Sequence, residues 1–210
     1  MRKIVPTFLS LLLVSVCAFA DRIDDWRREQ TAIEALLQQK RYAEARKTSI
    51  RLTNHMLDRL GADAEASTLL GRTVALRAAA EDGLGNVDDT NWYRQVATLL
   101  DPQVAMPAMR TPLPAAILFM EQSDVTTRPE VTRKRPPERP GVVNALGVGV
   151  GVVRVVIDAD GAVRQPSIVS APAPSVAYAT LEAAKQWRFR PAMKDGKAVA
   201  TSFTVTITMH

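Results

Sequence analysis

Ser202-Phe203-Thr204-Val205-Thr206-Ile207-Thr208-Met209 alternates without a break between hydroxyl and apolar side chains. A period of two places every apolar group on one face of an extended chain, so the segment predicts a strand with one buried face. Just upstream, Lys194-Asp195-Gly196-Lys197 has the composition of a tight turn. Trp187 to Pro191 reads as a short strand leaving a helix. That helix carries Val176, Ala177, Thr180, Leu181, Ala183 and Ala184 at amphipathic spacing, with Ser175 as its expected N-cap. Further back, Val152-Val153-Arg154-Val155-Val156-Ile157 is a β-branched run, and Ala162 to Val169 continues as its hairpin partner. Asp158-Ala159-Asp160-Gly161 between them is a turn with Gly where positive φ is needed. The two aspartates suggest turn chemistry rather than calcium, because a calcium loop needs further oxygens and a later Glu.

The order is therefore strand, strand, helix, strand. One helix can cover one face of a small three-stranded antiparallel sheet. The last strand is expected at an edge, where unpaired N–H and C=O groups are left open.

The rest of the chain is different. Asp25 to Gly61 predicts two helices, divided at Lys40-Arg41-Tyr42-Ala43-Glu44-Ala45 and stopping at Gly61. Ala62 to Ala80 is rich in Ala and Leu and predicts a third. After Gly83-Leu84-Gly85-Asn86, a helix capped by Asp88 or Asp89 should run to Leu100 and end at Asp101-Pro102. Prolines then crowd the chain from Pro102 to Pro140, which opposes regular helix and predicts an extended linker. The expected fold class is α+β: an all-α helical-hairpin region over residues 21–102, a Pro-rich linker over 103–148 and a β-β-α-β domain over 149–210.

Residues 1–20 have the layout of a secretory signal peptide. Arg2 and Lys3 precede an apolar stretch, and Ala18-Phe19-Ala20 offers small residues before Asp21. Cleavage after Ala20 would place the mature protein in the periplasm. The alternatives are an uncleaved inner-membrane anchor facing the periplasm and a lipid-modified Cys17. Cys17 is the only cysteine in the chain, so no disulfide framework is expected.

The formal charge of +5 is unevenly placed. Residues 21–110 hold 13 basic and 14 acidic side chains, and residues 121–210 hold 12 basic and 8 acidic. A modest basic excess without interleaved aromatic residues argues against nucleic acid. The two histidines, His55 and His210, form no metal-ligand spacing. No nucleophile motif or phosphate-binding Gly loop is present, so no catalytic, cofactor or metal site is predicted and the chain is not expected to be an enzyme.

Two resemblances add to this reading. Leu84 to Ala97 followed by Leu100-Asp101-Pro102 resembles the second half of a tetratricopeptide repeat. More specifically, Val155-Val156-Ile157-Asp158-Ala159-Asp160-Gly161-Ala162-Val163, Ala183-Ala184-Lys185-Gln186-Trp187-Arg188-Phe189-Arg190-Pro191-Ala192 and Gly196-Lys197-Ala198-Val199 together resemble the TonB C-terminal family. The resemblance makes Asp158, Asp160, Gly161, Trp187, Phe189 and Pro191 structural motif positions. It implies that the final strand is a docking edge for a partner peptide, with Thr201, Phe203, Thr204, Val205, Thr206, Ile207 and Thr208 as its residues. The implied partners are envelope proteins, TonB-dependent outer-membrane receptors among them, and a second copy could use the same edge. Energy-transducing members carry a membrane helix with a His, a long Pro-rich spacer and a Tyr-Pro pair before the first strand. Here Ile4 to Ala20 has no His, the Pro-rich stretch is short, and the Tyr-Pro pair is absent. A protein-binding module is therefore the favoured reading, and a membrane-anchored transducer or accessory of siderophore or other nutrient uptake is the alternative.

Overall fold

The computed structural model describes residues 8–60 and 64–210. Residues 1–7 and the side chains of residues 8–21, on which the expected signal peptide and Cys17 fall, lie outside that description, as does Gly61. No helix among the described residues is long and apolar enough to cross a membrane.

Four helices open the fold: α1 (Phe8–Gln38), α2 (Tyr42–Leu57), α3 (Ala64–Gly83) and α4 (Val87–Leu100). Lys40 adopts a left-handed backbone with φ of 58°, which turns the chain between α1 and α2. The central helix is α3, packed against α1, α2 and α4. It buries Leu69, Leu70, Val74, Ala75, Leu76, Ala78, Ala79 and Ala80, an apolar girdle too wide for a helix with a solvent face. Each large side chain fully buried there contributes about 1.5–3 kcal/mol. Gln30 of α1 is buried too, and its amide donates to Leu69 O and Thr73 Oγ1, both at 2.9 Å. Gly83 lets Tyr42 approach, since a Cβ at that position would sit 2.2 Å from the ring.

Three expected caps fall elsewhere. The α4 N-cap is Asn86, without a side-chain cap, and Asp88 and Asp89 lie in the first turn, where their charges still favour the helix dipole. The last residue of α2 is Leu57 rather than the neighbourhood of Gly61. The helix expected to be capped by Ser175 is capped at Ala173 and starts at Pro174, whose fixed φ suits the first helical position; Ser175 is buried inside it.

The Pro-rich stretch is fastened to the rest of the fold at several points. Asp82 of α3 accepts from the backbone N–H of Arg110 at 2.9 Å and of Thr111 at 2.7 Å. β1 (Glu130–Arg133) and α5 (Val142–Leu146) follow, and the Gly141 N–H donates to Leu57 O at 2.8 Å. Proline removes donors and helix but leaves carbonyls and apolar surface, so the segment fastens itself through its remaining groups.

The C-terminal domain comprises β2 (Gly149–Ile157), β3 (Val163–Ser170), α6 (Pro174–Gln186), β4 (Arg188–Arg190), β5 (Ala192–Lys194), β6 (Lys197–Val199) and β7 (Thr201–Met209). The main sheet is antiparallel in the order β3-β2-β7. β2 and β7 pair without a break from Gly149 opposite Met209 to Ile157 opposite Thr201. β1 pairs with β4, and β5 with β6. One face of the sheet buries Val153, Val155, Ile157, Val205 and Ile207 beneath Val176 and Leu181 of α6. The other side of α6 meets α3 and α4, so the two regions share an interface.

Candidate peptide-docking edge

The start of the final strand, β7, is held in place by contacts from the β2–β3 turn and β4. Asp158 Oδ1 accepts from the backbone N–H groups of Asp160 at 3.0 Å and Ala162 at 2.9 Å. These bonds close the β2–β3 turn, and Gly161 takes φ of +78°. Gly161 also gives its carbonyl to the Phe189 N–H at 3.0 Å. Asp158 is ion-paired to Arg164, which reaches Asp88 of α4 at 2.9 Å. Phe189 is buried and meets Phe203 of β7 edge-on at 4.9 Å between centroids. Trp187 donates from Nε1 to Arg135 O at 3.0 Å, and Pro191 is half-buried after β4. Asp158 and Gly161 thus close the turn, Gly161 ties it to Phe189, and Phe189 lies between Trp187 and Phe203 at the start of β7.

β7 lies at one edge of the sheet. In an antiparallel ladder each residue turns its N–H and C=O to the same side, and neighbours alternate. Ser202 sets the phase: its N–H donates to Met120 O at 3.2 Å and its carbonyl accepts from Gln122 Nε2 at 3.0 Å, both on the side away from β2. Thr204, Thr206 and Thr208 therefore turn their backbone groups outward as well, and nothing among the described residues pairs with them. Their side chains are exposed, while those of Val205 and Ile207 are buried and Phe203 is half-buried. Thr201 is buried, and its Oγ1 donates to Met120 O at 2.8 Å. The expected edge thus divides in two. Thr201 and Ser202 are covered by Met120, Glu121 and Gln122, and the stretch from Phe203 onward is open.

Sequence reading found the strand and its edge position but missed this cover. The segment Leu113 to Met120 is apolar and has no partner within reach along the chain, so nothing local announces a bridge to Thr201.

The opposite edge is blunted. β3 contains Pro166, which has no N–H, and Gln165 is forced to φ of 40°. Strand pairing with another chain is thus possible along β7 and obstructed along β3.

Residues 147–209 match the family of the Gram-negative bacterial TonB protein C-terminal. The matched segment is the β2-to-β7 domain, and the four helices lie outside it. A solution NMR structure of the Pseudomonas aeruginosa TonB C-terminal domain is similar: it is 23% identical, with a TM-score of 0.33, over 43% of this chain and 94% of that one. The comparison with curated proteins gave no match. TonB C-terminal domains take part in envelope transport and in protein interactions, and they are not enzymes.

Proposed function

We propose that the chain is a periplasmic protein-binding module that docks a partner peptide by strand addition to β7. The observation that carries the reading is the free edge at Thr204, Thr206 and Thr208, next to an opposite edge blocked by Pro166. Backbone hydrogen bonds would supply affinity, and alternate side chains of the added strand would supply selectivity. The fitting partners are N-terminal segments of TonB-dependent outer-membrane receptors. A second copy pairing edge to edge is the competing occupant. Residues 21–102 would form a tetratricopeptide-like second surface, and residues 1–20 would be removed on export.

Amide hydrogen exchange tests the reading. The probes are synthetic peptides from the periplasmic ends of TonB-dependent receptors of the same cell. Protection should rise at Thr204, Thr206 and Thr208 and stay unchanged along β3. Binding with protection confined to the helices would sink strand addition.

A further inference from the structure

The β1–β4 ladder presents an outward face with an unusual charge arrangement. Arg133 stands directly opposite Arg188. Like charges facing each other across a ladder destabilise it. The neighbouring outward pair, Glu130 opposite Arg190, is an ion pair at 2.6 Å. Past Arg133 the run continues through Lys134 and Arg135, all three exposed. None of these three forms an ion pair among the described residues. Arg188 turns its guanidinium to the carbonyls of Lys185 at 3.1 Å and Trp187 at 2.8 Å rather than to an acid. The adjoining β5–β6 hairpin repeats the motif, with Lys194 opposite Lys197.

The backbone under this charge is pinned. Trp187 Nε1 holds Arg135 O, and Thr132 Oγ1 donates to Arg188 O at 3.0 Å. Lys134 Nζ rests 5.2 Å from the centre of the Trp187 ring. A free arm could spread its cations apart in solvent. Here Arg133 is held opposite Arg188 in the ladder and the Arg135 carbonyl is tied to Trp187, so the basic run is fixed along β4 and an external anion would offset its charge.

We propose that this face binds the phosphate headgroups of an anionic lipid bilayer. Guanidinium groups match phosphate oxygens with paired hydrogen bonds. The three consecutive cations are exposed and have no acidic partner among the described residues, which suits an extended array of anions. The negative potential of such a membrane draws each basic side chain near its surface. The proposal is independent of strand addition, because β7 lies in a different sheet.

Co-sedimentation of the full chain with lipid vesicles tests it. One set is equal parts phosphatidylcholine and phosphatidylglycerol; the other is phosphatidylcholine alone. The apolar N-terminal stretch could associate with either set, so the difference between them is the readout. The full chain should favour the mixed vesicles, with the preference collapsing as salt is raised. Replacing Arg133, Lys134 and Arg135 together by Gln should weaken that binding by roughly a hundredfold, at about fivefold per cation. Arg22→Gln, Lys47→Gln and Arg59→Gln together remove the same charge elsewhere and should leave it within about twofold, since charge away from the contact is screened. Should the first triple variant fail to fold by circular dichroism, the double Lys134→Gln, Arg135→Gln replaces it, with an expected loss of about 25-fold. Equal binding to both vesicle sets would overturn the proposal, as would equal loss in patch and control variants. Capture by poly-glutamate without any preference for the mixed vesicles would overturn it in favour of an acidic peptide. Full release by inorganic phosphate at constant ionic strength would mean a free-anion site instead of a membrane contact.

Discussion

Arg77 of α3 donates from Nη1 to Glu182 of α6 at 3.4 Å, joining the helical region to the TonB-like domain. The same guanidinium bonds the Tyr178 hydroxyl at 3.0 Å and lies 3.8 Å above the Tyr93 ring. Lys185, one turn further along α6, reaches Asp89 of α4 at 2.6 Å. Arg77 is only 13% exposed and Glu182 21%, so removing one partner strands a largely buried charge. Arg77→Ala should cost about 3 kcal/mol, the lower end for breaking a buried pair. Urea unfolding followed by circular dichroism and by tryptophan fluorescence checks this. The two probes should coincide in the unchanged chain and separate in the variant.

Alkaline pH should loosen the same interface. Burial pushes both the Tyr93 and the Tyr178 phenol well above their ordinary value; the nearby Glu182 carboxylate adds to the rise, and Arg77 opposes it. Below about pH 10 the phenols are protonated in both the folded and the unfolded chain, and their contribution is intact. Above that the unfolded chain releases protons that the folded chain keeps, so stability falls as pH rises, by at most roughly 3 kcal/mol per pH unit for two phenols. Absorbance at the phenolate band, recorded with circular dichroism, should show these two tyrosines ionising only together with unfolding.

Asp82 should govern the start of the Pro-rich stretch. Burial alone would push its carboxyl up, but hydrogen bonds from the Arg110 and Thr111 backbone, with the Arg110 charge, outweigh burial and hold it below its ordinary range. That contribution is present above the unfolded pKa of about 3.9 and is lost as pH falls through the lower folded value. Asp82→Ala leaves two N–H groups without an acceptor and should cost about 1–3 kcal/mol. The check is amide exchange, which should quicken at Arg110 and Thr111 well before the helices open.

Much of this architecture was legible because its signals are local. The alternation from Ser202 to Met209 gives the strand and its buried face from eight consecutive residues. Asp158 and Gly161 announce a turn because the same residues supply both the hydrogen bonds and the positive φ. The Pro-rich stretch hid its structure because its partners are remote. Val131 finds Phe189, Trp187 finds Arg135, and Met120 finds Thr201 across the chain. No periodicity in the stretch itself encodes these pairings. The caps at Asn86 and Ala173 are not the residues that the sequence suggests for a related reason: acidic and hydroxyl side chains suit several positions of a first turn, and packing chooses among them.

Gly161 is held by two separate demands, its backbone angle and its closeness to β4. A Cβ there would lie 1.9 Å from the Phe189 carbonyl oxygen, with φ still at +78°. The left-handed conformation alone costs a non-glycine residue about 1–2 kcal/mol, and the clash forces either the turn or β4 to move. Gly161→Ala should therefore lower stability by more than about 2 kcal/mol. Thermal unfolding reads the loss, and the amide signals of Phe189 and Ala162 should shift, because the Gly161–Phe189 bond joins turn and strand. A variant as stable as the parent would mean that β4 is not anchored through this turn.

The proposed docking edge makes the sharpest distinction between adjacent residues. The Thr206 N–H points away from β2, on the open side set by Ser202, so the sheet does not use it. Proline is tolerated on an edge strand where the missing N–H faces outward. Val205 is the reverse: its N–H faces β2, opposite Val153, and its side chain is in the core. Thr206→Pro should leave the fold intact, with stability reduced by less than about 1 kcal/mol for an exposed edge position. It should nonetheless weaken peptide binding by at least tenfold, because it removes a ladder donor and sets its ring where the added strand would lie. Val205→Pro breaks the central pairing and should cost about 3 kcal/mol or more before binding is considered. Isothermal titration with a bound receptor peptide, beside urea unfolding of each variant, separates the two effects. A Thr206→Pro protein that is stable and binds unchanged would place the contact off β7, whereas stable but non-binding protein locates it on the open edge from Phe203 onward.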